Sequence, residues 1–283
     1  MPELPEVEEV RRRLRPVMAG AKFDRVLVHR SDLRFPIQPD FASRLEGRTV
    51  KSLGRRAKYL VAELSSGDVL LMHLGMSGSF RVESDGGRDR PADYYWEPER
   101  STLHDHVVFE LSSGVTVVFN DPRRFGSMRI VAAPDLGGDP ALAALGPEPL
   151  SRGFDAAVLA RALKGRRIPL KAALSDQRVV AGLGNIYASE ALHVARLSPT
   201  RRASTLVTPS GAPRPEAQRL VAAIKDVLRQ AMDKRHRAYT ADRFRVYDRE
   251  GERCPRRGCG GVIKRIVQSG RSTFFCQVCQ RAR

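Results

Sequence analysis

The second and third residues of the chain, Pro2 and Glu3, offer a reactive pair. Methionine followed by proline is ordinarily trimmed, which would leave Pro2 as a free secondary amine beside a carboxylate. An α-amino group titrates near 8 against about 10.4 for lysine, so roughly a tenth of it is unprotonated at pH 7, about two hundred times the fraction available from lysine. Such an amine can attack a sugar carbon. The iminium it forms has no nitrogen proton to lose, stays cationic, and draws electrons from the neighbouring carbons, so that a 3′ phosphate can leave by β-elimination. A plainer reading stands beside this one: Pro2 resists degradation, and Glu3, Glu6, Glu8 and Glu9 favour a helix N-terminus electrostatically.

All four cysteines lie within the last thirty residues, as Cys254-x4-Cys259, sixteen intervening residues, and Cys276-x2-Cys279. Between the pairs, Val262–Gln268 and Arg271–Phe275 flank a Ser269-Gly270 turn, which predicts a β-hairpin bridging two cysteine knuckles. Four thiolates saturate a tetrahedral zinc ion and leave no open position, so one structural Zn2+ is expected; a redox or disulfide role is the alternative. Residues 240–283 carry eleven Arg or Lys against four Asp or Glu. Arg271, just past the turn, is placed for bidentate contact with a phosphate. In VVAGLGNIYASEAL, residues 179–192, two glycines precede Asn185 at a helix start, where backbone donors and the Asn185 amide could grip one phosphate; an ordinary capped helix–turn–helix reads equally well.

These groups need elements to hold them. Val7, Val10, Leu14 and Met18 recur at three- and four-residue steps and predict a helix from Pro5 to Met18. From 23 to 131 come β-type runs, including Arg25–His29, Tyr59–Leu64, Val69–His73, Val107–Leu111, Val115–Asn120 and Met128–Val131, with SDGGRDR at 84–90 as an exposed loop. Ala132 to Pro149 is rich in Pro, Gly and Ala and resists any continuous element. Helical spacing returns in Asp155–Lys164, Leu170–Gln177, Tyr187–His193 and Glu216–His236. The fold class is therefore α+β multidomain: an N-terminal β-sandwich with its helix (1–133), a linker (134–150), a helical domain (151–240) and a zinc module (241–283).

The formal charge of +17 over 283 residues points to a polyanionic partner, nucleic acid foremost. No apolar run is long enough for a membrane span and no basic amphipathic anchor is visible, which argues against insertion. The first residues lack the basic-then-apolar pattern of a secretion signal, so a cytoplasmic protein is expected.

PELPEVE at the N-terminus, RRAKYL at 55–60, HLGMSG at 73–78, DPRRFG at 121–126, GLGNIYASE at 182–190 and GRSTFFC at 270–276 together resemble the formamidopyrimidine-DNA glycosylase family across nearly the whole chain. The resemblance implies a bacterial, nucleoid-associated, monomeric base-excision enzyme. It would remove oxidised purines, formamidopyrimidines and 8-oxoguanine, from double-stranded DNA and then nick the strand at the abasic site by β,δ-elimination. It implies a sandwich paired with a helix–two-turn–helix and zinc finger, with DNA between them. By the same resemblance Pro2 forms the Schiff base, Glu3 donates protons, Lys58 aids β-elimination and Arg271 serves δ-elimination. His73, His104, Arg123, Arg166, Lys171 and Asn185 are the DNA contacts it implies, while Met76, Arg123 and Phe125 fill the space left by a flipped nucleotide. Arg123 could also favour an orphaned cytosine. Two departures stand out: the first cysteine pair is spaced by four residues where many relatives use two, and about ten residues are missing from the base-capping loop between His236 and Phe244. Rival readings are an endonuclease VIII-like glycosylase for oxidised pyrimidines and a non-catalytic damaged-DNA-binding protein.

Overall fold

The computed structural model describes residues 2–84, 87–89, 101–233 and 244–281. They divide into two compact units, residues 1–143 and 144–283. In the first, helix α1 (Leu4–Met18) begins with Pro5 in its first turn, and the Glu6 carboxylate accepts the backbone N–H of Glu3 at 2.9 Å. This start satisfies one of the orphan donors of a helix N-terminus. The stripe Val7, Val10, Leu14 and Met18 is buried as its spacing predicts, each side chain contributing roughly 1.5–3 kcal/mol of burial.

Strands β1 (Phe23–Val28), β2 (Val50–Arg56), β3 (Tyr59–Leu64), β4 (Asp68–His73), β5 (Ser79–Ser84), β6 (Gly87–Asp89), β7 (Asp105–Leu111), β8 (Thr116–Asn120) and β9 (Ser127–Ala132) form two antiparallel sheets, ordered β1-β7-β8-β5-β6 and β2-β3-β4-β9. Alternate residues of both sheets, among them Phe23, Phe80, Phe109 and Phe119 from one and Leu53, Leu60, Leu70 and Met72 from the other, share one core with the apolar face of α1. The unit is thus a β-sandwich. Part of the segment expected to be a loop, 84–90, is strand: Ser84 pairs with Gly87 and β6 extends the sheet. The Pro- and Gly-rich stretch expected to lack a continuous element folds into a 3₁₀ turn (Ala133–Gly138) and a short helix α3 (Pro140–Ala143), following the short α2 (Phe41–Leu45) in chain order. Asp139 is the reason, because its carboxylate takes the Arg129 Nε at 3.0 Å and the Ala141 N–H at 2.9 Å.

The second unit holds α4 (Ala156–Leu163), α5 (Leu170–Ser175), α6 (Asn185–Val194) and α7 (Pro215–Asp233), then the hairpin β10 (Ile263–Gln268) and β11 (Arg271–Cys276). Helix α6 is buried on nearly every face, so the other helices wrap around it. A ladder of edge-on rings, Tyr187–Phe244 at 6.3 Å, Phe244–Tyr247 at 5.6 Å and Tyr247–Phe274 at 5.2 Å, carries the packing from α6 into the hairpin. No helix among the described residues is long and apolar enough to cross a membrane.

Candidate functional site

Strand register fixes where the chemistry-bearing residues of the first unit lie. Tyr59 pairs with His73, and His73 with Ser127. Ser79 and Asp105 both pair with Asn120. The β2–β3 turn, the β4–β5 loop, the β8–β9 loop and the turn entering β7 therefore gather at one end of the sandwich. Helix α1 reaches the same end: Glu8 takes the Arg55 Nε at 3.1 Å, while Arg11 donates to the Leu53 carbonyl at 3.3 Å, so helix and β2 run antiparallel. The chain turns back after Arg56, which pairs with Tyr59, so the start of α1 and the turn that carries Lys58 lie toward the same end of the sandwich. Arg55 also donates to the Ala57 carbonyl at 2.8 Å, linking α1 directly to the turn that presents Lys58. Pro2, Glu3 and Lys58 are all buried.

His73 closes this side. Its ring packs on Tyr59 at 4.7 Å and its Nδ1 accepts the Gly75 N–H at 3.0 Å, which places the ring proton on Nε2. Burial, then the positive charges of Lys58 and Arg34, push His73 down to about 4; it is neutral at pH 7.

The loops HLGMSG and DPRRFG interlock backbone to backbone. A Cβ at Gly75, whose φ is +62°, would stand 2.3 Å from the Phe125 carbonyl carbon, and one at Gly78 2.3 Å from the Leu74 oxygen. Only glycine permits this approach. At the junction sits Asp121, fully buried. Its carboxylate accepts the Ser77 hydroxyl and, at 2.7 Å, the Gly126 N–H; its backbone N–H reaches the His104 carbonyl at 3.0 Å and its carbonyl accepts His106 Nε2 at 2.8 Å. Ser77 in turn accepts the Arg123 N–H at 3.2 Å. Met76, His104, Arg123 and Phe125 are thus brought to one rim, with the Arg123 guanidinium 4.8 Å over the Phe125 ring and that ring 39% exposed. Asp121 carries no sequence signal of its own beyond its place in DPRRFG.

In the second unit Gln177 holds the glycine turn: its Oε1 accepts the Gly182 N–H at 2.8 Å and its Nε2 donates to the Leu183 carbonyl at 2.7 Å. Asn185 then opens α6. Its Nδ2 donates to the Ser272 carbonyl at 3.0 Å, and its Oδ1 accepts from Lys171. Lys171 is buried and donates also to the Ser272 carbonyl and, at 2.7 Å, to the Thr273 hydroxyl. Arg166 is paired with Asp176 at 2.9 Å, and Arg271 is exposed at the hairpin tip.

The four cysteine sulfurs lie within 4.8 Å of one another. Cys254–Cys279 at 3.9 Å and Cys259–Cys276 at 3.6 Å are far too long for disulfides, and they bracket the roughly 3.8 Å edge of a tetrahedron with 2.3 Å zinc–sulfur bonds. Burial, then the charges of Cys254 and Cys276, push the Cys279 thiol up to about 12, so a cation is what lets four thiolates share this space. The donor set fits one structural zinc, which when bound would crosslink the two knuckles. The four-residue spacing of CPRRGC lets Arg256 reach back to the His193 carbonyl at 2.7 Å and cap the C-terminus of α6. His193 Nε2 lies 3.3 Å from the Cys254 sulfur, and the Glu190 carboxylate accepts three backbone N–H groups, from Arg245, Val246 and Tyr247, at 2.8–2.9 Å. None of these three roles is marked by the spacing of Glu190, His193 or Arg256 in sequence.

A β-sandwich is thus followed by a helical unit whose glycine-turned helix carries a four-cysteine hairpin, the architecture of a zinc-ribbon protein of two units. Sequence models of the formamidopyrimidine-DNA glycosylase N-terminal domain, its H2TH domain and the zinc finger found in that enzyme and in isoleucyl-tRNA synthetase match residues 1–128, 145–242 and 251–282. The formamidopyrimidine-DNA glycosylases of Afipia carboxidovorans and Nitrobacter winogradskyi are 58% and 57% identical, over 99% of this chain and 100% of theirs. The crystal structure of the MutM (Fpg) protein of Thermus thermophilus superposes with a TM-score of 0.80 at 38% identity over the full length of both chains. That of the Lactococcus lactis enzyme bound to abasic-site DNA does so at 0.84 and 28%, over 99% of each. The chain belongs to the formamidopyrimidine-DNA glycosylase family, bifunctional base-excision repair enzymes that are both glycosylase and abasic-site lyase.

Proposed function

We propose that this chain, acting as a monomer in the bacterial cytoplasm on nucleoid DNA, excises formamidopyrimidines and 8-oxoguanine and then nicks the strand. Once Met1 is removed, the Pro2 nitrogen attacks C1′ of the flipped nucleotide; the glycosidic bond breaks and the base leaves with a proton. Glu3 protonates the ring oxygen as the sugar opens, giving the C1′ iminium. Loss of a 2′ proton to a base near Lys58 then expels the 3′ phosphate, and a second elimination, with Arg271 on the phosphate, expels the 5′ phosphate. Met76, Arg123 and Phe125 hold the vacated space, with Arg123 turned to the orphaned cytosine, and His73 and His104 flank the backbone. The helix start at Asn185 and the side chain of Arg166 serve flanking phosphates. Lys171, with its protons donated inside the protein, acts by holding Asn185 and the hairpin in place. Domain limits of 1–133, 151–240 and 241–283, joined by 134–150, suit this division of labour.

What supports this reading is the register that gathers Lys58, His73 and the interlocked wedge loops at one end of the sandwich, the end toward which α1 carries Pro2. The shortened capping loop between His236 and Phe244 falls largely outside the described residues. With Pro2 and Glu3 intact and little lid, excision of formamidopyrimidines and cleavage of abasic sites should exceed capture of 8-oxoguanine. A second reading, oxidised-pyrimidine excision, draws support from the Lactococcus protein, solved with DNA containing an oxidised pyrimidine. Single-turnover excision from paired duplexes carrying each lesion tests both. Faster release of formamidopyrimidine is expected; equal or faster release of 8-oxoguanine contradicts the lesion ranking, and a dominant pyrimidine activity favours the second reading.

A further inference from the structure

Behind the zinc knuckles, at the end of the hairpin opposite Arg271, lies an open pocket of about 460 Å³. Five residue steps along β10 separate that end from the tip, roughly 17 Å. Arg196, Arg201, Arg219, Arg256, Arg257 and Arg281 line it, with Glu216 as the one carboxylate. Four thiolates on a divalent ion carry two negative charges and Glu216 one more, so the six guanidiniums still leave an excess of three positive charges. Four of the arginines are held by neutral acceptors: Arg219 Nε donates to the Ala195 carbonyl at 2.8 Å, Arg201 Nε to the Thr205 hydroxyl at 2.9 Å, Arg281 Nε to the Val278 carbonyl at 3.2 Å and Arg256 to the His193 carbonyl at 2.7 Å. None of the six forms an ion pair among the described residues, and the buried Nε of Arg256 has no partner. Arg196 stands just past α6 with φ +55°, a left-handed conformation glycine would take without strain. Guanidinium forks that outnumber the negative charges around them suit phosphate oxygens.

The pocket does not end there. Arg201 and Glu216 also wall a second cavity of about 670 Å³ that adds Lys164 and Arg214. Two neighbouring basic pockets that share a wall offer more than one phosphate needs and suit a run of phosphodiesters. We propose that this face is a second nucleic-acid backbone site, which holds an undamaged duplex segment while another duplex occupies the lesion site. It goes beyond the excision chemistry and does not depend on which lesion is removed.

The test uses the zinc-loaded, full-length protein saturated with a short duplex bearing a tetrahydrofuran abasic analogue. A longer fluorescent undamaged duplex is then titrated in at several salt concentrations. A ternary complex is expected, and the double variant Arg196→Gly/Arg257→Ala should weaken it about ten-fold and lower its salt slope by about two. Removing Arg196 in favour of glycine relieves backbone strain, so misfolding does not mimic the result, and single-turnover cleavage of a lesion duplex should be unchanged. Retention of the first duplex reports separately on the excision reading. Unchanged second-duplex affinity and slope in the variant overturn the proposal. Displacement of the second duplex by inorganic tripolyphosphate at equal phosphate concentration assigns the site to a free polyphosphate and overturns the backbone assignment.

Discussion

The Asp121 carboxylate accepts from Ser77 and Gly126, while its backbone meets the His104 carbonyl and the His106 ring, so one buried residue links the two wedge loops to the turn entering β7. In Asp121→Asn an amide nitrogen replaces one carboxylate oxygen, so either the Ser77 hydroxyl proton or the Gly126 N–H loses its acceptor, at a cost of about 1–3 kcal/mol. Because those loops hold the wedge, single-turnover base excision should fall roughly 10–100-fold. Cleavage of a preformed abasic site, where no base must be released, should fall less. Equal losses in the two assays would mean that the loops do not serve base flipping. His73 makes a pH-dependent contribution. Its folded value near 4 lies below the ordinary 6.5, so the neutral ring stabilises the fold fully above pH 6.5, and this is lost as pH falls toward 4, by roughly 3 kcal/mol. Urea unfolding at pH 7.5 and 4.5 should show a smaller difference in His73→Gln than in the parent. The four cysteines were legible in the sequence because short thiol spacings are local. Asp121 was not, since its partners lie 44 residues away in Ser77 and across two other loops.

Helix α6 is the element on which the second unit turns. Asn185 reaches the hairpin, Glu190 gathers residues 245–247, His193 meets Cys254, and Arg256 caps the helix end. Its burial on nearly all faces is why helical spacing was legible only over Tyr187–His193, while the two glycines before Asn185 marked the start of the helix that forms over Asn185–Val194. Strands β2 and β5 were unread for the opposite reason. VKSLGRR is an edge strand whose outer residues stay half exposed and basic, and SFRVES lies next to the edge strand β6. By contrast, the Tyr59–Leu64 strand and the apolar stripe of α1 alternate cleanly and were placed closely. Glu190→Gln replaces a carboxylate that accepts three N–H groups with an amide that must turn a donor toward them, which should loosen the zinc module by about 2–4 kcal/mol. Zinc release to a chromogenic chelator should quicken while the far-ultraviolet helical signal holds. Release at the parent rate would show that Glu190 does not secure the module.

At the scale of the whole molecule the charge of +17 and the two units divide the work under the proposed function: the sandwich end would supply the groups for chemistry, and the helical unit a metal-stiffened hairpin and a helix start for phosphate. The six motifs that carried the resemblance fall at the end loops of the sandwich, at the start of α6 and in the hairpin, where backbone geometry and chemistry coincide. The arginine pocket behind the knuckles was invisible in sequence, because its residues come from 196 to 281 and meet only in the fold. The central claim is that the Pro2 amine is the nucleophile, and borohydride reduction during reaction with an abasic-site duplex tests it most directly. The account predicts a stable covalent protein–DNA adduct that peptide mapping places on Pro2 and that Pro2→Gly diminishes by ten-fold or more, roughly the loss expected when a catalytic nucleophile becomes a poorly placed primary amine. An adduct mapped to Lys58 or another lysine, or none with active protein, would contradict it.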